Sequence, residues 1–117
     1  MKTARVLIQS GDVLVAALLG ALVATENAEP LFPTNGETTR DALLRLRPNA
    51  VLINGESDDA ADERALGAAM MIGATIVLYG PARARPRMEE LRTRYGARIL
   101  QLPVVPGQLG PLLAPSG

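Results

Sequence analysis

At 117 residues the chain is long enough for one domain with a single core, and its 48% hydrophobic but only 3% aromatic content makes that core a matter of Leu, Val, Ile and Ala. Twelve basic residues balance twelve acidic ones, so no net field draws the chain to nucleic acid or an anionic membrane, and too few aromatics exist to stack single-stranded bases. Cys and His are absent, which excludes disulfides, thiol chemistry, Cys- or His-ligated metal and imidazole catalysis, and leaves any reaction to carboxylates, Lys2, Arg, Ser, Thr or Tyr.

The first apolar run, residues 4–8, reads as a short buried strand. Ser10, Gly11 and Asp12 form a loop, and Ser10 or Asp12 caps a helix over about 12–25. Its apolar stretch, 13–24, falls short of the roughly 20 residues a bilayer needs. Lys2 and Arg5 ahead of it also fit a secretory leader, but the break at Gln9, Ser10, Gly11 and Asp12 favours a core helix. Being apolar nearly all round, this helix is expected to pack on more than one side, with Gly20 allowing close approach. Residues 29–33 make a weak edge strand, limited by Pro30 and Pro33, and Thr34-Asn35-Gly36 is a turn.

A second helix spans about 37–46, with Ala42, Leu43 and Leu46 inward and Pro48 ending it. A continuous apolar strand follows at 50–53, then an acidic loop and a third helix over about 59–72, stopped by Gly73. A fourth strand runs over 74–79 and ends at Gly80-Pro81. Pro86 opens a fourth helix over about 86–95, capped by Gly96. The last strand is 98–102, and Gly110 and Pro111 allow only a short helix in the tail at 108–113. Strands and helices alternate, and the strands are apolar on both sides. That pattern implies an α/β fold with a parallel sheet covered on both faces.

The most informative segment is Arg47-Pro48-Asn49-Ala50-Val51-Leu52-Ile53-Asn54-Gly55. A helix stop is followed by a buried strand that ends on an amide, at the strand end where chemistry sits in open α/β sheets. With Arg5-Val6-Leu7-Ile8, the strand at 75–78 and Pro103, it resembles a response-regulator receiver domain of the CheY-like type over about residues 4–113. The resemblance implies a flavodoxin-like, doubly wound five-stranded sheet of order 2-1-3-4-5 with a short or missing last helix. It also implies a receiver-like domain over residues 1–113, with 114–117 as a tail or the start of a linker.

In receivers an aspartate accepts the phosphoryl group beside an acidic, magnesium-holding pair, a Thr or Ser and a Lys. Here those positions match Asn54, Ser10 and Gly11 (with Asp12 one place later), Tyr79 and Leu102. An amide cannot act as the carboxylate nucleophile of an aspartyl phosphate. Magnesium would retain only Asp12 and Glu56, and Leu102 offers no charge to phosphate. The resemblance therefore implies a degenerate, non-catalytic pseudo-receiver without cofactor or metal.

Between residues 81 and 99 six arginines, Arg83, Arg85, Arg87, Arg92, Arg94 and Arg98, face only two acids, Glu89 and Glu90. They read either as solvated faces with local ion pairs or as a docking surface, since in receivers this region meets dimer mates and partners. From residue 48 to 63 the chain carries Glu56, Asp58, Asp59, Asp62 and Glu63 and no base. The weak last helix is expected either to leave the sheet face near the first and fifth strands poorly covered or to pack over it as an irregular strap. The expectation is a cytoplasmic, phosphorylation-independent signalling domain that works through a protein partner or homodimer, without direct nucleic-acid or membrane contact. A small-molecule sensor with a ligand among Asp12, Asn54, Tyr79 and Leu102 is the alternative. A small flavodoxin-like enzyme is another, disfavoured by the lack of His, Cys and any glycine-rich phosphate loop.

Overall fold

The strands form where β-branched and leucine side chains are consecutive, because such runs can bury both faces at once. The computed structural model describes residues 3–57, 61–105 and 107–114. Five strands, β1 (Arg5–Gln9), β2 (Glu29–Leu31), β3 (Ala50–Asn54), β4 (Thr75–Gly80) and β5 (Arg98–Gln101), pair in parallel in the order β2-β1-β3-β4-β5. Five helices alternate with them: α1 (Val13–Thr25), α2 (Thr39–Leu46), α3 (Glu63–Met71), α4 (Arg85–Tyr95) and α5 (Leu109–Leu113).

Strand alternation divides the core in two. Leu7, Val51, Ile53, Ile76 and Leu78 point to the side of α2, α3 and α4, where they meet Leu43, Leu66 and Met88. Val6, Ile8, Leu52, Val77, Tyr79 and Leu100 point to the side of α1 and α5, against Leu19, Val23 and Leu109. β3 is central, and its Val51, Leu52 and Ile53 are wholly inaccessible to solvent.

Several expected boundaries move, each for a local reason. α2 starts at Thr39 because the Thr38 side chain accepts the Asp41 N–H and so caps it. α3 starts at Glu63 because Asp62 accepts the Ala65 N–H; the expected start at 59 lies outside the described residues. The Arg-rich lead into α4 is a 3-10 turn at Ala82–Ala84. Gly73 and Gly96 end their helices at positive φ (75° and 69°), and Arg47 takes the left-handed cap after α2 at φ 46°.

Of two expectations about apolar coverage, the structure decides one and corrects the other. The sheet near β1 and β5 is covered: Val6, Ile8 and Leu100 are buried, and the short α5 lays Leu109 over them with Leu112 and Leu113 partly buried beside it. Arg98 fixes this strap, its Nη1 donating to the carbonyls of Pro111 (3.3 Å), Leu112 (3.0 Å) and Ala114 (2.6 Å). Conversely, α1 packs on one side only. Leu19, Gly20 and Val23 are buried, while Val13, Leu14 and Leu18 are 83%, 80% and 57% exposed. Gly20 does permit a close approach, because a Cβ there would lie 3.0 Å from the Phe32 ring.

Candidate functional site

The carboxyl ends of the strands bring the sequence-selected residues together. Parallel pairing sets Asn54 of β3 beside Tyr79 of β4, and the chain after β5 adds Leu102. The loop after β1 adds Ser10 and Asp12. These residues line one cavity of about 190 Å³, completed by Val15, Glu56, Gly80 and Pro81. Gly11, adjoining it, is exposed and does not line the cavity. Val15, Gly80 and Pro81 were not singled out from the sequence, where Gly80-Pro81 reads only as a strand stop.

Each polar side chain at the cavity already has at least one internal partner. Asp12 caps α1, its Oδ1 accepting the N–H groups of Leu14 (2.8 Å) and Val15 (3.3 Å). The Ser10 hydroxyl bonds to the Asp12 backbone at 3.1 Å. The Asn54 side-chain oxygen accepts the Glu56 N–H at 2.9 Å, a turn in which the amide satisfies its own loop. The Glu56 carboxylate pairs with Arg83 at 3.0 Å.

Tyr79 is buried, with its hydroxyl bonded inside the protein. It is 2% exposed, and its hydroxyl donates to the Gln9 carbonyl at 2.5 Å. Burial pushes its phenol above the ordinary value of 10, the Ser10 hydrogen bond partly offsets this, and the Asp12 charge adds to it. From β4 the side chain reaches across β3 to the end of β1.

This donor set does not fit the magnesium that the receiver fold implies. Magnesium is held by free carboxylates with near-octahedral geometry. Asp12 is spent on a helix cap and Glu56 on Arg83, and among the described residues no three acidic, His or Cys side chains could hold a metal ion together.

The arginines do not form one free surface. Arg83 pairs with Glu56, Arg85 and Arg92 both pair with Glu89 (3.0 and 2.7 Å), and Arg98 holds the α5 carbonyls. Arg87 and Arg94 line a cleft of about 310 Å³ with Asp62, Glu63, Glu90 and Tyr95. Of the acidic stretch, Glu56, Asp62 and Glu63 therefore lie against the basic segment within one molecule, while Asp58 and Asp59 lie outside the described residues. Arg83, Arg85, Arg92 and Arg94 remain exposed.

A wider cavity, about 560 Å³, lies between the starts of α2 and α3 and is lined by Gln9, Glu37, Thr38, Thr39, Arg40, Asp41, Asp62, Arg64 and Ala65. Glu37 is held there by Arg45 in a two-pronged pair at 2.7 Å, with the Thr34 N–H at 3.0 Å. The Arg45 hydrogen bonds, then the Thr34 N–H, bring its carboxyl from 4.5 down to about 2. With the folded value below the unfolded one, the stabilisation from this pair is complete above pH 4.5 and is lost as pH falls through about 2. An NMR titration of the Glu37 carboxyl is expected to give a midpoint near 2, moving back towards 4.5 in Arg45→Ala.

No protein-family model and no curated protein matches this sequence. Solved structures match its fold closely. The receiver domain of a sensor histidine kinase from Pseudomonas aeruginosa PAO1, with magnesium in its active-site cleft, superposes with TM-score 0.75 at 13% identity, over 96% of this chain and 95% of that one. The signal receiver domain of a modulated diguanylate cyclase from Desulfovibrio desulfuricans G20 gives 0.71 at 21% identity, over 95% and 90%. A CheY-like response-regulator receiver domain from Methylobacillus flagellatus gives 0.70 at 15% identity, over 96% and 97%. The chain has the flavodoxin-like fold of CheY-like receiver domains, with the strand order expected from sequence. Among the described residues no helix is long and apolar enough to cross a membrane.

Proposed function

We propose that this chain is a receiver-type regulatory domain of signal transduction that works without phosphorylation, through protein–protein contact. The observation that carries the reading is Asn54: a neutral amide stands at the phospho-acceptor position, and its oxygen already holds the Glu56 N–H. The engagement of Asp12 and Glu56 elsewhere supports the same reading, as does the buried Tyr79 ring. The domain is neither enzyme nor metal carrier in this account. Its output is a population shift biased by whatever protein it meets. The contact surface is the exposed basic side of α4 and its lead-in, Arg83, Arg85, Arg92 and Arg94, with a second copy or an acidic partner as the occupant.

Light scattering should show association at low salt beyond whatever persists in high salt, and that salt-sensitive increment should be lost in the Arg92→Glu, Arg94→Glu double variant. A chain that neither self-associates nor changes its partner binding on that charge reversal would sink the surface assignment. A second reading has the cavity of about 190 Å³ holding a small ligand, favoured by the convergence of Asp12, Asn54, Tyr79 and Leu102 on one space. Thermal stabilisation by a metabolite, abolished by Leu102→Trp, would favour that reading.

A further inference from the structure

The outer side of α1 is the least explained surface of the molecule. The helix carries no charged residue from Val13 to Thr25. Its outward residues Val13, Leu14, Ala17, Leu18, Ala21, Ala24 and Thr25 are exposed, and Phe32, 46% exposed, continues the patch across Gly20. Glu26, just past the helix, lays its carboxylate over Gly110 of α5, which leaves the face uncharged. Together these residues present on the order of 500 Å² of apolar surface, towards the upper end of what monomeric proteins leave open.

We infer that this face is a homodimer interface in which α1 packs antiparallel against α1 of a second copy. The gradient of side-chain size along the helix selects that occupant. The large residues Val13, Leu14 and Leu18 lie in its first half, and the small residues Ala21, Ala24 and Thr25 in its second. A two-fold axis in the interface plane, at the level of Leu19 and Gly20, sets Leu14 opposite Thr25 and Leu18 opposite Ala21 on one flank of the face, and Val13 opposite Ala24 of the other copy on the other flank. Large residues then meet small ones on both sides, the self-complementarity an isologous contact requires. A parallel arrangement would set large against large and leave a gap at the other end. Antiparallel helices also oppose their macrodipoles favourably. With no charge on the face, a charged partner surface gains nothing there and loses its hydration.

Two such faces bury on the order of 1,000 Å² in total, the lower end for a specific contact, so association is expected at micromolar concentration. This interface is independent of the arginine surface, and salt separates the two. Sedimentation velocity from low to high micromolar protein should show a dimer that persists or tightens in high salt. Leu18→Glu should weaken it at least about tenfold, with circular dichroism and melting unchanged because the site is exposed. Ala21→Leu should also weaken it, although it adds apolar area, because it fills the small half of the face. Three results would overturn the inference: a dimer lost in high salt and indifferent to Leu18→Glu, which leaves the arginine surface standing; a dimer strengthened by Ala21→Leu, the mark of unspecific adhesion; and a monomer at every concentration and salt.

Discussion

Gly55→Ala is expected to destabilise the domain by about 1–3 kcal/mol and to lower its melting temperature by roughly 4–12 °C. A methyl at position 55 would lie 2.5 Å from Met88 Cγ, 2.7 Å from its Sδ and 3.4 Å from the Tyr79 carbonyl oxygen. Met88 is wholly buried, so its stem has nowhere to swing. Gly80 forms the other half of the seat, with Met88 Sδ 3.5 Å and Ala84 Cβ 3.3 Å from where its own Cβ would be. Met88 thus pins α4 to the ends of β3 and β4. Met88→Ala alone should cost about 2–5 kcal/mol through the cavity it leaves. The double variant should be less destabilised than the sum of the two by at least about 1 kcal/mol, since the second change removes the first one's clash. Denaturant unfolding of the four proteins measures this, and strict additivity would show that the clash is relieved elsewhere. For the proposed contact surface the seat matters because α4 carries exposed arginines. The buried Met88 side chain is the contact that links the Asn54–Gly55 loop to α4.

The fold was legible because its signals are local and redundant. The unbroken apolar run into Asn54, the stop at Pro48 and the turns at Gly73 and Gly96 each fix one element, and a parallel alternation admits few topologies. Helix starts were less legible where several capping residues compete. Thr38 lies one residue after Glu37, and Asp62 ends a row of acids any of which could cap, so only the backbone shows which accepts the hydrogen bond.

The side on which α1 packs was invisible for a different reason. A helix apolar all round has no period from which to read a buried face, so its composition does not tell a face buried within the chain from one left open. The arginines were counted correctly as charge. Arg85 and Arg92 meet Glu89 at helical spacing, but Arg83 reaches Glu56 and Arg98 the tail carbonyls, and no local pattern encodes those distant pairings. At the candidate site the identities of Asn54, Tyr79 and Leu102 were legible. The burial of the Tyr79 hydroxyl against Gln9 was not, because it depends on strands separated by 70 positions in sequence.

Asn54→Asp alone is expected to leave the chain without a phospho-adduct after incubation with acetyl phosphate and magnesium, as judged by intact mass. A carboxylate would then stand at the strand end, but Asp12 would still cap α1, Glu56 would still hold Arg83, and Leu102 would still offer no cation to the incoming phosphate. Adding Ser10→Asp, Gly11→Asp, Tyr79→Thr and Leu102→Lys should produce an adduct. The parallel register already sets positions 54 and 79 side by side, and positions 10 and 102 border the same cavity. That variant should also be less stable by about 3–5 kcal/mol, chiefly from removing a buried aromatic ring, so the assay belongs at low temperature with folding checked by circular dichroism. The gain of an adduct only in the combined variant would show that the scaffold keeps receiver geometry and that side-chain chemistry alone silences it. An adduct on the single variant would mean that Asp12 leaves its helix cap, or Glu56 its arginine, to serve a metal. The site would then be dormant, one residue away from phosphotransfer, and the phosphorylation-independent reading would fall with it.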